Sequence, residues 1–232
     1  MRPAATSQVA PVQVRAGAAL IDGDLVVPHR AQGLVVFAHG SGSSRFSRRN
    51  RAVAQTLVDG GFASLLLDLL TREEEAIDLQ TRGYRFDIEL LGHRVVAAID
   101  WATGETGQFA LPIGCFGAST GAAAALIAAA ERPEAVHAVI SRGGRPDLAG
   151  DALPRVQAPT LLIVGGNDEP VIELNRAAMR QMRARVHLEI VPGATHLFEE
   201  PGTLEQVSHL ALQWCRRYLG GRNDDDAEGR TL

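Results

Sequence analysis

Short apolar runs alternate with segments of helical spacing along most of the chain. Leu34–Ala38, Ala63–Leu67, Ile113–Phe116, Val136–Ile140, Thr160–Val164 and Val186–Val191 are rich in aliphatic and β-branched side chains and read as strands. Between or after them, Arg51–Asp59, Ile88–Trp101, Gly121–Ala130, Leu174–Arg183 and Thr203–Tyr218 carry the period of helices. Two extended pieces, Val12–Ala19 and Asp24–Val27, precede this alternation and predict an antiparallel hairpin at a sheet edge. Continuously apolar strands that alternate with helices belong in a sheet buried on both faces. The expected fold class is α/β, a mostly parallel, doubly wound sheet of about eight strands with helices on both faces. Ligands of such sheets bind beyond the carboxyl ends of the strands, so a catalytic group should follow a strand directly.

The alternation stops at both ends. Residues 1–10 read as an irregular leader and 221–232 as an acidic, disordered tail, leaving 11–220 as a single domain. The one long connection, Leu70–Asp87 with the acidic run Glu73–Glu75, is expected to be a loop that partly covers the site; no insertion is large enough for a cap domain. A chain of 232 residues, 46% of them apolar, can bury a sizeable core. Its 23 basic and 27 acidic residues give a net charge of −4. Asp224, Asp225, Asp226 and Glu228 against Arg222 and Arg230 place part of that charge in the tail, so the body is close to neutral and carries no nucleic-acid or membrane footprint. Every basic residue is arginine, which removes lysine chemistry: Schiff bases, P-loop phosphate binding and Ser–Lys dyads. Cys115 falls in a strand and Cys215 in a helix, so no disulfide framework is expected. With no signal-like apolar stretch and no run of membrane-spanning length, the cytoplasm is the expected compartment.

Three strand ends carry chemistry. Ile113–Phe116 runs into Gly117-Ala118-Ser119-Thr120-Gly121 and then an alanine-rich helix, a Gly-x-Ser-x-Gly turn from strand to helix. Such an elbow lifts a serine hydroxyl above the sheet, and its glycines are needed where side chains would collide. A serine needs a base, and the base needs an orienting acid. After Thr160–Val164 comes Gly165-Gly166-Asn167-Asp168, and after Val186–Val191 comes Pro192-Gly193-Ala194-Thr195-His196. Asp168 as acid and His196 as base both follow strands, in the chain order Ser, Asp, His. A helix cap is the plain alternative for Asp168, and Glu169 and Asp147 are rival acids. His29, His93, His137, His187 and His209 lie inside elements or at the wrong sheet edge. His39 follows a strand within Phe37-Ala38-His39-Gly40-Ser41-Gly42-Ser43-Ser44, a turn that can aim a backbone N–H into the pocket. Ser41 and Thr120 N–H are the expected oxyanion donors, with Gly42 as substitute for the first and His39 as a structural tie. Arg142 and Arg145 end another strand, and Arg45 and Arg72 two more. Arg142 and Gly42 are candidate substrate contacts, against the plainer expectation that these arginines pair with Asp147, Asp68 or Glu73–Glu75.

His39-Gly40-Ser41-Gly42, Gly117-Ala118-Ser119-Thr120-Gly121, Gly166-Asn167-Asp168 and Gly193-Ala194-Thr195-His196 together resemble the α/β-hydrolase superfamily, in its dienelactone-hydrolase-like branch. The resemblance spans Val12 to Leu219 and implies a Ser119–His196–Asp168 triad. Dienelactone hydrolases proper use a cysteine nucleophile, whereas this elbow carries Ser119; Cys115, four residues earlier inside the strand, is no substitute. The expected function is hydrolysis of small carboxylic esters or lactones through an acyl-enzyme, with no cofactor, no metal and a small-molecule ester or lactone as partner. Acyl transfer to an alcohol or thiol on the same triad, and a binding pocket without turnover, are the rival functions.

Overall fold

The computed structural model describes residues 8–104 and 110–220. Eight strands form one sheet in the order β1-β2-β4-β3-β5-β6-β7-β8. β1 (Val9–Ala16) and β2 (Ala19–Val26) are the antiparallel edge hairpin; its first arm begins three residues earlier than the sequence suggests, its second is longer, and β2 also runs antiparallel to β4 (Ala63–Leu67). β1 therefore takes in Val9 and Ala10, which were expected to be leader; residues 1–7 and the tail 221–232 lie outside the described residues. β3 (Leu34–Ala38), β5 (Ile113–Ala118), β6 (Val136–Arg142), β7 (Thr160–Gly165) and β8 (Val186–Val191) complete the parallel part.

The chain passes from β3 outward to β4, then returns to place β5 on the other side of β3. This reversal opens a crevice beyond the strands' carboxyl ends, next to the elbow. β3, β4, β5 and β7 are buried along their whole length, as strands covered on both faces must be. One face, with Phe37, Phe116, Ile140 and Ile163, is covered by α1 (Arg48–Asp59) and α6 (Thr203–Tyr218). The other packs under α3 (Ile88–Thr103) and α4 (Thr120–Glu131). Alanines fill most of α4, so its backbone lies close on the sheet.

The segment expected to be a loop is not one. Residues Arg72–Thr81 form α2, followed by a 3₁₀ turn over Tyr84–Phe86. Apolar periodicity could not reveal this helix, because Asp78 is its one buried residue. Polar contacts hold it instead. Thr71 and Glu74 form a reciprocal capping box, and Glu74 also receives Arg94 Nη2 at 2.7 Å. Asp78 binds the Arg85 side chain at 2.6 Å. α5 (Glu169–Met179) starts five residues before the expected Leu174, with Pro170 in its first turn, where a missing N–H costs nothing.

Candidate active site

Ser119 stands at the junction of β5 and α4 with φ 51° and ψ −122°, a conformation that a residue with a side chain rarely adopts. The turn is held by Ser119 N–H donating to Arg142 O at 3.2 Å and by Arg145 N–H donating to Ser119 O at 3.0 Å. Its glycines are obligatory. A Cβ at Gly117 would lie 2.4 Å from Ala122 Cα, and one at Gly121 2.3 Å from Ala38 O. Thr120 follows as the first residue of α4, where N–H groups have no intrahelical acceptor.

Asp168 and His196 meet as expected: His196 Nδ1 and Asp168 Oδ2 are 2.7 Å apart, with side chains 39% and 14% exposed. Asp168 is the residue that precedes α5, yet its side chain makes no capping bond, so the carboxylate is free for the imidazole. Backbone contacts align the two loops. Asn167 N–H donates to Ala194 O at 2.9 Å, Gly166 N–H to Val191 O at 2.8 Å, and Asn167 Nδ2 to Gly193 O at 3.0 Å. A Cβ on Gly143, next to Arg142, would reach His196 O at 2.9 Å, so the histidine turn packs on the end of β6, beside the strand that carries Ser119. Among the described residues no hydrogen bond joins Ser119 Oγ to His196.

The rivals are engaged elsewhere. Asp147 forms a two-pronged pair with Arg145, and Glu169 is exposed in the first turn of α5. His187 pairs with Glu189, while His137 and His209 contact local carbonyls. Cys115 is 1% exposed within β5, and burial pushes its thiol up to about 12. It is no nucleophile at neutral pH.

On the other side of Ser119 lies the turn after β3. His39 is buried; its Nε2 accepts Leu69 N–H at 3.0 Å, which places the ring proton on Nδ1, 2.9 Å from Gly40 O. Burial lowers the His39 pKa, outweighing that carbonyl and the more distant Asp68 and Glu75, and the ring ties the turn to the end of β4. A Cβ at Gly40 would meet Ser119 Cβ at 2.9 Å, so the turn passes directly against Ser119. Ser41 N–H, expected to point at an oxyanion, donates to Thr120 Oγ1 at 2.9 Å. The two expected donor residues are brought together, but with the threonine hydroxyl on the serine's amide. A cleft with about 530 Å³ of free space opens beside this turn, walled by Ser43, Leu70, Leu79, Arg85 and Leu91. Arg85 Nη1 lies 3.4 Å from where a Gly42 Cβ would stand. Burial would raise the Asp78 carboxyl, and the Arg85 hydrogen bonds outweigh it, holding the acid below the usual carboxylate range.

The arginines divide. Arg45 sits among Asp68, Asp24 and Asp22, and Arg145 on Asp147, as the plainer expectation has it. Arg72 is 87% exposed at the edge of Asp22. Arg142 departs from the plainer expectation. It is buried, meets no carboxylate among the described residues, and donates only to Asn50 Oδ1 at 3.3 Å. Sequence reasoning missed Arg85, Asp78 and Thr120 Oγ1; of these, only the Thr71-x-x-Glu74 box that frames α2 leaves a readable signal.

An independent comparison accounts for this arrangement. The family model described as the dienelactone hydrolase family matches residues 21–216. The chain belongs to the dienelactone hydrolase family. A crystal structure of dienelactone hydrolase from Anabaena variabilis is 57% identical, with a TM-score of 0.91 over 93% of this chain and 100% of that one. Est1E from Butyrivibrio proteoclasticus, 18% identical with a TM-score of 0.74 over 89% of this chain and 98% of its own, shares the fold. Relatives in two Mycobacterium tuberculosis strains, 57% identical over 210 residues, carry a provisional phosphoribosyl transferase name. The match covers 90% of this chain and 46% of those proteins, so the chain spans about half their length.

Proposed function

We propose that this member of a hydrolase family is a serine hydrolase that cleaves carboxylic esters or lactones of small acyl compounds through an acyl-enzyme. The observation that carries the reading is the strained Ser119 elbow at the end of β5 together with an Asp168–His196 pair 2.7 Å apart at the ends of β7 and β8, in the chain order the mechanism requires. Ser119 Oγ attacks the carbonyl carbon while His196 takes the hydroxyl proton; Asp168 keeps the imidazole in the right tautomer and steadies its charged form. Thr120 N–H and the Ser41–Gly42 turn stabilise the oxyanion, which replaces Thr120 Oγ1 as the acceptor of Ser41 N–H. His196 returns its proton to the leaving oxygen, then activates a water that releases the acid and restores Ser119.

The transferase name describes proteins more than twice as long as the stretch matched here, and the proposal rests on the part that is matched. A fluorophosphonate is expected to label Ser119 alone, and Ser119→Ala to lose both label and turnover. The α2 wall beside the Ser41–Ser44 turn, in a fold without an inserted cap domain among the described residues, supports acetyl and butyryl p-nitrophenyl esters over those of about eight carbons. Labelling that survives in Ser119→Ala would defeat the assignment, and a preference for long chains would defeat the small pocket.

A further inference from the structure

Most arginines near the carboxyl edge of the sheet are neutralised: Arg45 by three aspartates, Arg85 by Asp78, Arg94 by Glu74 and Arg145 by Asp147. Arg142 is not. It is 7% exposed, with Nε and Nη1 both sealed from solvent and without a partner. Burial pushes its pKa down to about 10, with repulsion from Arg49 adding to the fall, so it remains a cation at neutral pH. A buried charge with no counter-charge is strongly unfavourable, and its persistence calls for a group that balances it.

The surroundings favour an anion. Arg142 lies against the first turn of α1, where its Nη2 meets Asn50, and Asn50 N–H is in turn capped by Ser47 Oγ. The helix dipole concentrates positive potential there. Arg49, in the same turn, holds Glu199 through Nη1 at 2.9 Å, while its Nε is buried and unpartnered. The Arg49 and Glu199 side chains are 34% and 64% exposed, so their pair is open to solvent while Arg142, close enough to feel the charge of Arg49, is buried. Two guanidiniums and one carboxylate leave one positive charge, to which the helix end adds about half a unit. A phosphate group, with about −1.5 to −2 charges at neutral pH and three acceptor oxygens, matches this surplus and the idle donors better than a carboxylate does.

We propose that Arg142, Arg49 and the first turn of α1 form a subsite for a phosphate-type oxyanion, and that Glu199 covers Arg49 until the anion displaces it. The subsite adjoins the chemistry: Arg142 O accepts the Ser119 N–H, and Glu199 belongs to the turn that carries His196. The oxyanion is either carried by the ester or free in solution. In the first case the inference rests on the hydrolase reading and narrows the substrate to esters or lactones bearing a phosphate or phosphonate.

Calorimetric titration with inorganic phosphate reads the subsite without turnover. One site per chain is expected, weakened about tenfold or more by Arg142→Gln, since a charge-assisted fork is lost. Glu199→Gln removes the competing carboxylate and should tighten binding about threefold or more, and acetate and chloride should bind about tenfold more weakly than phosphate. Arg142→Lys, which keeps the charge but loses the fork, and the surface change Glu199→Gln keep the test decisive if Arg142→Gln misfolds. Failure of phosphate to bind, or binding indifferent to these substitutions, overturns the subsite. Comparing p-nitrophenyl esters of phosphonoacetate and acetate separates the two sources. A kcat/KM about tenfold higher for the phosphonate, lost in Arg142→Gln, assigns the anion to the substrate. Equal values, with acetate hydrolysis altered by added phosphate, assign it to the free ion. Acetate ester hydrolysis without phosphate binding sinks the subsite alone; phosphate binding without any ester hydrolysis sinks only the hydrolase.

Discussion

The two sides of Ser119 are built from different materials. On the acid–base side the loops after β7 and β8 are joined mainly through backbone: Gly166 to Val191, Asn167 to Ala194, and a Gly165 whose Cβ would lie 2.5 Å from Ala194 O. On the oxyanion side the links run through side chains: Thr120 Oγ1 to Ser41, His39 Nε2 to Leu69, Asp78 to Arg85, Glu74 to Arg94. A backbone ladder tolerates changes in the side chains it carries, whereas a side-chain link fails with a single substitution. The acid–base side should therefore respond to substitution of its chemical groups alone, and the oxyanion side to substitution of its supports as well.

The largest effect should come from the acid–base side. Asp168→Asn keeps the shape of the pair but favours the wrong imidazole tautomer, and kcat should fall by about 10³–10⁴ with an unchanged circular dichroism spectrum. A mild loss there, with a severe one in Glu169→Gln or Asp147→Asn, would move the acid elsewhere. Next comes a support. Thr120→Val removes the hydroxyl that holds Ser41 N–H while sparing the Thr120 N–H, and kcat should drop about tenfold, with Thr120→Ser close to the parent. Equal rates in the valine and threonine forms would erase the contrast between the sides.

The smallest effect concerns pH and His39. Its pKa is lowered in the folded state, so below the ordinary histidine value of about 6.5 the unfolded chain binds a proton that the folded chain refuses. Its neutral form is thus fully compatible with folding above that value, and stability is lost as pH falls from about 6.5 towards the folded-state value. Melting curves from pH 7.5 down to pH 5 should fall more steeply for the parent than for His39→Gln, by a difference on the order of a few degrees. Parallel curves would show that His39 is not sealed at the turn.

What the sequence reveals follows the same division. Ser119, Asp168 and His196 are legible because strand ends, obligatory glycines and chain order leave marks in the residue string. The parallel strands are legible because their runs are apolar throughout. α2 is not, since its one inward residue is an aspartate and its stability comes from Arg94, Arg85 and a capping box rather than an apolar stripe. The start of α5 is hidden because Asp168, Glu169 and Pro170 look like loop chemistry, although they open the helix. The state of Arg142 is a matter of three-dimensional neighbours: Arg145, three residues on, has the same side chain and a neighbouring aspartate, and is fully paired.

The backbone of Ser119 carries a wider implication. A residue with a side chain held at φ 51°, ψ −122° costs the fold on the order of 1–3 kcal/mol, and glycine would adopt that conformation freely. Folding and chemistry therefore make opposing demands on one position. Under drift that relaxed the need for turnover, position 119 would be a ready place to gain thermal stability, and a glycine there would mark a lineage that kept the scaffold after abandoning the reaction.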